Sequence, residues 1–208
     1  MHQVVAGTLR DPSFAQRYAS PMFRMRYRVF HERLHWEVKC NDGQEQDEFD
    51  DLHTLYLLAA DDAGDAHGSW RLRPTTLPYM MADVSAFDCL MHGQRAPRSP
   101  RVWEISRFAV DTGDQAQASF GFNEVARTLI HSTIQFAVDN QIDQYVMVVS
   151  TAIERLLKNT GLTLHRYGPP VRIGKVNTVA CRLDIDAHTR HVILGHPQPQ
   201  EQELRLAA

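Results

Sequence analysis

Hydrophobic residues recur along the chain in short runs separated by polar turns, and these runs predict five β-strands. The runs are His53–Ala60, Gly68–Leu72, Arg101–Val110, Tyr145–Val149 and Val176–Ile185. The first two flank a turn rich in Asp and are expected to form a hairpin. The fourth run, YVMVV, is apolar throughout, which is typical of a strand covered on both faces.

A longer period, in which apolar residues recur at every third or fourth position, predicts the helices. It is clearest in Phe122–Asn140. It recurs in Phe14–Leu34, where Pro21 is expected to divide the segment into two short helices. Further helices are predicted around Met80–Met91 and after the fourth strand, where Gly161 is expected to end the helix.

The order of these elements predicts the fold class. A hairpin is followed by strand, helix, strand, helix and strand, which indicates an α/β protein built as a three-layer α-β-α sandwich around a central mixed sheet. The segment Cys40–Asp51 carries six acidic residues and no basic one, and it predicts an exposed loop. We expect a single domain over residues 1–208, with a polar C-terminal tail from about residue 195.

Composition narrows the function classes. The chain has 208 residues, 43% of them hydrophobic, which excludes a largely disordered protein. The net charge of −3 disfavours a nucleic acid as the main partner. The opening segment lacks the pattern of a secretory signal, and no apolar run is long enough to span a membrane. We therefore expect a cytoplasmic protein without a membrane partner.

Charged residues inside the predicted strands are the first candidates for chemistry. Glu104 and Arg107 lie among apolar neighbours in the third strand, and a charge buried in a strand must be paired or functional. A period of two places Glu104 and Ser106 on one face of the strand. Arg107 falls on the opposite face unless a β-bulge intervenes.

Four stretches of sequence resemble the acyl-homoserine lactone synthases, the autoinducer synthases of bacterial quorum sensing. The stretches are RYRVFHERLHWEV, DEFDD, GSWRLRPTTLPYMM and VWEISRFAV. The positions at which the chain matches the hallmark residues of that family are Arg26, Phe30, Trp36, Asp47, Asp50, Arg71, Glu104 and Arg107. The resemblance covers residues 20–185, and it implies a fold similar to that of the GNAT acyltransferases.

The resemblance also implies a reaction between two substrates. An acyl chain arrives as a thioester on acyl carrier protein and is transferred to the α-amine of S-adenosylmethionine. The acylated intermediate then cyclises to an acyl-homoserine lactone and releases methylthioadenosine. S-adenosylmethionine is a substrate, so we expect no cofactor and no metal.

Each matching residue receives an expected role in that reaction. Glu104 is expected to act as the general base for the amine, since an amine must be neutral to attack a thioester. Arg26 or Arg107 is expected to hold the substrate carboxylate, while Asp47 and Asp50 balance its positive charges. Phe30 and Trp36 are expected to wall the pocket, and Arg71 belongs to the same catalytic set. Backbone N–H groups at a splay near Val148–Ser150 are implied as the oxyanion site.

Further residues are predicted to contact the substrates or the carrier. The candidates for the pocket are Trp103, Ser106, Phe108, Met80, Phe87, Met147 and Val149. Met147 occupies the position where, in the resembling family, a Thr accompanies 3-oxo acyl chains. A thioether offers no donor to a 3-oxo group, so we expect an unsubstituted chain of about eight carbons. Arg155 and Lys158 are expected to dock the acidic acyl carrier protein.

Three alternatives remain open at this stage. An acyl-CoA-dependent GNAT-type N-acyltransferase has the same fold, although the stretch Gln117–Asn123 lacks the usual glycine pattern of a pyrophosphate loop. A regulator that binds the ligand without catalysis is a second alternative. The third is a zinc site, because His31, Glu32 and His35 spell HExxH.

Overall fold

The computed structural model describes residues 3–111 and 124–195. The stretch Gln117–Asn123 and all but the first residue of the predicted C-terminal tail lie outside the described residues.

The strands form one large mixed sheet and a small hairpin. In chain order they are β1 Gln3–Thr8, β2 Cys40–Asn41, β3 Gln44–Glu45, β4 Leu55–Ala60, β5 Ala66–Pro74, β6 Val102–Val110, β7 Gln144–Ser150, β8 Leu164–Arg166, β9 Val171–Ile173 and β10 Val176–Asp184. The large sheet has the order β1-β4-β5-β6-β7-β10-β8, with β9 also paired to β10, and β2 pairs with β3. Every pair is antiparallel except β6 with β7, which is parallel.

The helical segments lie between the strands. In chain order they are α1 Pro12–Phe14, a π-helical turn Ala15–Ala19, α2 Ser20–Tyr27, a second π-helical turn Arg28–Arg33, α3 Met80–Asp83, a 3₁₀ segment Ser85–Met91, α4 Glu124–Asp139, α5 Thr151–Asn159 and α6 Ala187–Leu194. No helix in the described ranges is long and apolar enough to cross a membrane.

Helices cover both faces of the sheet, which confirms the predicted three layers. On one face, Leu129 and Ile130 of α4 pack with Leu157 of α5 against sheet residues such as Trp70 and Leu183. The opposite face is covered by the helical segment of residues 12–33 and by the region around α3. This second face carries the charged cluster described below.

The predicted break at Pro21 is wrong, because the chain stays helical from Pro12 to Arg33. Pro21 lies just after the π-helical turn Ala15–Ala19, where the backbone hydrogen-bond pattern changes, and its missing N–H does not end the helical segment. The π-helical turn Ala15–Ala19 leads into α2 without an interruption.

The prediction of an exposed loop over Cys40–Asp51 is also wrong in part. Glu45 is fully buried, and Asp50 is only 6% exposed. The first residues of the segment form the β2–β3 hairpin, which packs beside α2. These acids are buried because arginines from three other elements reach them.

Candidate active site

Three arginines and three carboxylates form a buried cluster on the α2 face of the sheet. Arg26 comes from α2, Arg71 from β5 and Arg107 from β6. The carboxylates are Glu45 on β3 and, in the segment that follows it, Asp47 and Asp50. Equal numbers of positive and negative groups make the cluster neutral as a whole.

Arg26 is the most enclosed member, with 1% of its surface exposed. Its two terminal nitrogens donate to the two oxygens of Asp50 at 2.8 and 2.9 Å, and its Nε donates to Glu45 at 2.6 Å. The planar fork of arginine matches a carboxylate in this two-bonded arrangement. Asp50 accepts a further hydrogen bond from the hydroxyl of Tyr56 at 3.0 Å.

Arg71 and Arg107 complete the cluster through Asp47. Arg71 Nη1 lies 2.5 Å from Asp47 Oδ1, and its Nε donates to the hydroxyl of Ser106 at 3.0 Å. Arg107 Nη2 donates to Asp47 Oδ2 at 2.6 Å, and its Nε donates to Glu45 at 3.0 Å. The side chains of Arg107 and Asp47 are 16% and 8% exposed, so they form the outward-facing part of the cluster.

A β-bulge in β6 brings Arg107 to this face. Ser69 pairs with Ala109 and Arg71 with Ser106, so three steps on β6 oppose two on β5. Arg107 adopts a φ of 55°, in the left-handed region that L-residues seldom occupy. The bulge therefore places Arg107 on the same face of the sheet as Glu104 and Ser106. This is the outcome that the sequence allowed only if a β-bulge intervened in the strand.

The cluster favours the charged forms of Asp50 and Arg26. Burial opposes the charged carboxylate of Asp50, but Arg26 and Arg71 outweigh this and keep the pKa of Asp50 well below its usual range. Burial likewise opposes the guanidinium of Arg26, and the carboxylates of Asp50 and Glu45 reverse that effect and raise the pKa of Arg26. The buried charges are thus fully compensated.

Glu104 lies beside the cluster and is bonded differently. It is fully buried, and its two carboxylate oxygens accept hydrogen bonds from the backbone N–H groups of Met81 at 2.7 Å and Met80 at 3.2 Å. Burial raises the pKa of Glu104, while the charges of Arg71 and Arg107 and the two N–H groups act in the opposite direction. A carboxylate with a raised pKa is a stronger base than an ordinary surface carboxylate.

The sheet opens next to Glu104. Strands β6 and β7 pair only from Val102 to Glu104 on one side and from Gln144 to Val146 on the other. Both strands continue beyond this point, to Val110 and Ser150. The edge of β7 that faces β6 is therefore released from pairing with β6 after Val146. The predicted splay, Val148–Ser150, begins two residues beyond Val146 and lies within this opening.

Aromatic rings and a thioether line the cluster. Phe30 and Trp36 are stacked with 5.4 Å between their ring centroids, and the guanidinium of Arg107 lies 5.9 Å from the Phe30 ring. Met80 places its sulfur 3.3 Å from Arg107 Nη1. The structure therefore brings these predicted pocket residues together with the charged cluster.

Four other predicted pocket residues lie on the α4 face instead. Met147 is fully buried there, and Trp103, Phe108 and Val149 pack against the same core. Trp103 contacts Phe136 of α4, at 5.8 Å between ring centroids. Phe87 is separate from both groups and packs in a third cluster with Tyr79 and Met81.

The predicted docking residues lie on α5. Arg155 and Lys158 are both exposed. Lys158 Nζ lies 2.8 Å from the carboxylate of Glu154, which also receives two hydrogen bonds from Arg166 at 2.8 and 2.6 Å. The face around α5 keeps a surplus of positive charge, because one acid is opposed by three bases.

The HExxH pattern does not have its usual helical geometry. His31 and Glu32 lie in the π-helical turn, which ends at Arg33, and His35 follows with a φ of 52°. His31 is stacked on Tyr27, 4.9 Å between ring centroids. Among the residues that the structure describes, no group of three or more His, Cys, Asp or Glu residues is arranged to hold a metal ion.

Sequence reasoning missed three residues of this region, namely Glu45, Tyr56 and Arg73. Glu45 bonds both Arg26 and Arg107, and Arg73 is 3% exposed and bonds Asp51. A count of charges contained a usable signal. Three arginines in apolar elements require three carboxylate partners, and the acidic segment of residues 40–51 is the place to look for the third.

Comparison with known proteins shows which family the sequence of this chain matches. The family model described as autoinducer synthase matches residues 13–193. The acyl-homoserine-lactone synthase of Pseudomonas aeruginosa is 34% identical over 188 residues, which are 89% of this chain and 92% of that protein.

Solved structures of such synthases superpose along nearly the whole chain. The AHL synthase LasI has a TM-score of 0.81 and 31% identity, covering 97% of this chain and 98% of that one. The CoA-dependent acyl-homoserine lactone synthase BjaI, solved with SAM and isopentyl-CoA, has a TM-score of 0.81 and 28% identity, covering 95% of this chain and 91% of that one.

A more distant likeness concerns the fold alone. A structure described as a putative N-acetyltransferase from Lactobacillus plantarum has a TM-score of 0.58 at 12% identity, covering 89% of this chain and 99% of that one. It confirms the predicted similarity to the acetyltransferase fold. With a family model over most of its length and a curated relative 34% identical, the chain belongs to the autoinducer synthase family.

Proposed function

We propose that the protein transfers an acyl chain from acyl carrier protein to the α-amine of S-adenosylmethionine and then closes the lactone. The products are an N-acyl-homoserine lactone, methylthioadenosine and the free thiol of the carrier. The observation that carries this proposal is Glu104, a buried carboxylate with a raised pKa beside a cluster able to hold an amino acid. Membership of the autoinducer synthase family supports it.

Glu104 acts as the general base of the first step. It takes a proton from the substrate ammonium, directly or through one water, and the neutral amine attacks the thioester carbon. The N–C bond forms first and leaves an oxyanion on the thioester carbon. The C–S bond then breaks as the carbonyl re-forms, and the thiolate takes the second proton that the nitrogen gives up as it becomes an amide. Backbone N–H groups of β7 beyond Val146, released from sheet pairing, are suited to stabilise the oxyanion.

The outward part of the charged cluster holds S-adenosylmethionine. Arg107 offers the substrate carboxylate a guanidinium, and Asp47 lies on the same side to balance the sulfonium and the amine. Arg26 is closed off by Glu45 and Asp50, so it fixes the carboxylates in place without touching the substrate. This assignment chooses between the two arginines that sequence reasoning left open.

Lactone closure needs neither a metal nor a nucleophilic side chain. The substrate carboxylate attacks the γ-carbon, and the bond from that carbon to the sulfonium breaks, so that neutral methylthioadenosine leaves. The requirement is to hold the carboxylate against the carbon, which is a matter of orientation. The stacked pair Phe30 and Trp36 can wall the adenosyl group during this step.

The acyl chain is proposed to follow the opening between β6 and β7 into the α4 side of the core. A void of about 10 Å³, lined by residues including Ile105, Met147 and Trp70, lies there. Its size is that of about one water molecule, so a chain enters only as the side chains around it move. We assign an unsubstituted chain, because Met147 can pack against methylenes but cannot donate a hydrogen bond. For its length we propose about eight carbons.

Acyl-CoA is the second candidate donor. The similar synthase BjaI is described as CoA-dependent, which favours this alternative. The positive face of α5 favours the carrier protein, whose surface is acidic. The regulator without catalysis is disfavoured by the intact cluster and by the buried base.

Replacing Glu104 with Gln is expected to lower lactone synthesis by about 10²–10⁴-fold, the usual effect of losing a general base. Methylthioadenosine release measures the rate, and the thermal midpoint checks folding. Glu32→Gln is the matched control, because Glu32 is exposed and belongs only to the HExxH pattern. If Glu104→Gln keeps near wild-type activity, Glu104 is not the general base. A large loss of activity in Glu32→Gln would instead favour the zinc site of the HExxH pattern.

Arg155→Glu combined with Lys158→Glu is expected to raise KM for the acyl carrier protein severalfold at low salt. KM for S-adenosylmethionine should stay near wild type, and the effect should shrink as salt screens the charges. Arg10→Glu with Arg190→Glu, two exposed arginines elsewhere, is the control. An unchanged KM for the carrier in a folded double variant places the docking face elsewhere.

Met147→Thr is expected to shift the preference toward 3-oxo chains. The hydroxyl introduced by this substitution can donate a hydrogen bond to the 3-oxo carbonyl of the acyl chain, which is otherwise buried without a partner. The unpaired carbonyl costs about 1–3 kcal/mol, which corresponds to roughly 5- to 150-fold in discrimination. Competition between octanoyl and 3-oxo-octanoyl carrier proteins measures the ratio. Met147→Leu, which keeps an apolar side chain of similar volume without a hydroxyl, is the control. A wild-type preference for the 3-oxo chain contradicts the assignment.

A further inference from the structure

Arg73 is a buried arginine beside the site that the proposed chemistry does not use. It is 3% exposed and lies on β5, two positions beyond Arg71 and on the same face. Its terminal nitrogens donate to the two oxygens of Asp51, each at 2.7 Å, and Nη1 also donates to the hydroxyl of Thr54 at 2.6 Å. It therefore fixes the segment that follows the acidic strand β3.

The remaining nitrogen of Arg73 points to a different segment. Its Nε donates to the backbone carbonyl of Pro78. Pro78 precedes Met80 and Met81 by two and three residues, and these two residues supply the N–H groups that hold Glu104. One guanidinium thus joins the segment around Asp51 to the chain that carries the donors of Glu104.

The sheet adds a second link between Arg73 and Glu104. The two residues are direct cross-strand partners in the β5–β6 register. A shift of Arg73 and Pro78 therefore changes the position of the Met80 and Met81 N–H groups relative to a carboxylate anchored on the neighbouring strand. Since α3 spans only Met80–Asp83, its own hydrogen bonds give these N–H groups little rigidity.

The outer side of the same segment is held by an exposed arginine. Arg98 donates to both oxygens of Asp83 at 2.9 and 3.1 Å and to the carbonyl of Leu77 at 3.2 Å, and Asp83 accepts from the N–H of Tyr79. The Arg98 side chain is 47% exposed, so water competes for these bonds. The contact from Arg73 is the firmer of the two, because the Arg73 side chain itself is almost wholly buried.

We propose that Arg73 is a positioning residue for the general base, holding the Pro78 carbonyl so that the N–H groups of Met80 and Met81 stay directed at Glu104. This inference rests on the proposed function, in which Glu104 is the base. It predicts an effect on kcat and on the pH dependence of the rate, with little effect on binding of S-adenosylmethionine.

The direction of the pH effect follows from the hydrogen bonds. The charged and titratable groups that face Glu104 are Arg71 on β5, Arg107 on β6 and Tyr79 before α3. Loosened N–H donors stabilise the charged carboxylate less, so the pKa of Glu104 rises further. Since the charged carboxylate is the active form of the base, a higher pKa of Glu104 moves the acidic limb of the rate profile to higher pH.

The experiment compares Arg73→Gln with wild type and with Arg101→Gln. Arg101 pairs with Asp143 at the surface, so its loss is a matched control that does not touch the site. For Arg73→Gln we expect kcat to fall about 10- to 100-fold, as for a small misplacement of a catalytic group. KM for S-adenosylmethionine should stay within about threefold, and the acidic limb of the rate profile should move to higher pH.

A double variant separates action through Glu104 from general damage. In the Glu104→Gln background, Arg73→Gln should lower the residual single-turnover rate by less than about twofold, because coupled residues do not add. Independent losses that multiply contradict the proposal. A raised KM for S-adenosylmethionine with an unshifted pH profile also overturns it, since that result assigns Arg73 to the binding cluster.

A second variant tests the proposal if Arg73→Gln does not fold. If Arg73→Gln does not melt cooperatively, Arg73→Lys supplies one ammonium in place of the fork, and we expect it to keep the fold with a smaller shift of the acidic limb. A folded Arg73→Lys with the wild-type profile and kcat rejects the proposal. Failure of the proposed function is distinct from all of these results, because wild type itself then releases no methylthioadenosine.

Discussion

The site depends on the mutual neutralisation of three buried arginines by three carboxylates. Arg26 alone donates three hydrogen bonds to two acids, Glu45 and Asp50, while it is almost wholly removed from water. Loss of one partner of a buried ion pair typically destabilises a protein by about 3–5 kcal/mol, because the other charge stays buried. The cluster therefore ties α2, β3, β5 and β6 together, and its outward-facing part, Arg107 with Asp47, is the part to which the proposed function assigns the charged substrate.

Two irregularities of the sheet place chemistry next to this cluster. The bulge in β6 turns Arg107 to the face of Glu104, and the early end of pairing between β6 and β7 opens the sheet beside Glu104. A regular strand would place Arg107 among the core residues of α4, where its charge would lack a partner. These two irregularities bring together Glu104, Arg107 and the edge of β7 released from β6, the groups to which the proposed function assigns the base, the holder of the carboxylate and the oxyanion site.

Much of this was predictable from the sequence. Apolar runs predicted five of the ten strands that the described residues form, and apolar residues at every third or fourth position predicted the long helix α4. These elements were predictable because each buries apolar residues in a regular pattern. The strand Gln3–Thr8 was missed because half-buried edge residues alternate weakly, and β8 and β9 have only three residues each. Matching hallmark residues identified the arginines and two of the acids.

The remainder required three-dimensional contacts. Acidic composition alone indicated an exposed loop over residues 40–51, and only the arginines that reach Glu45 and Asp50 explain their burial. Similarly, the sequence shows Arg73 only as a further charged residue in a strand. Its proposed role as a positioning residue depends on the contacts by which it joins Asp51 to the Pro78 carbonyl. Asp51 lies 22 positions from Arg73 along the chain, and Pro78, although only five positions away, accepts through a backbone carbonyl that no side-chain pattern indicates.

The most direct test of the account is a single reaction with purified protein, S-adenosylmethionine and carrier proteins loaded with hexanoyl, octanoyl or decanoyl chains. Methylthioadenosine and lactone are quantified together by mass spectrometry. The account predicts equal amounts of the two products, formed only when both substrates are present and most rapidly with a medium unsubstituted chain. Methylthioadenosine without lactone, or an acylated product that keeps its adenosyl group, would contradict it.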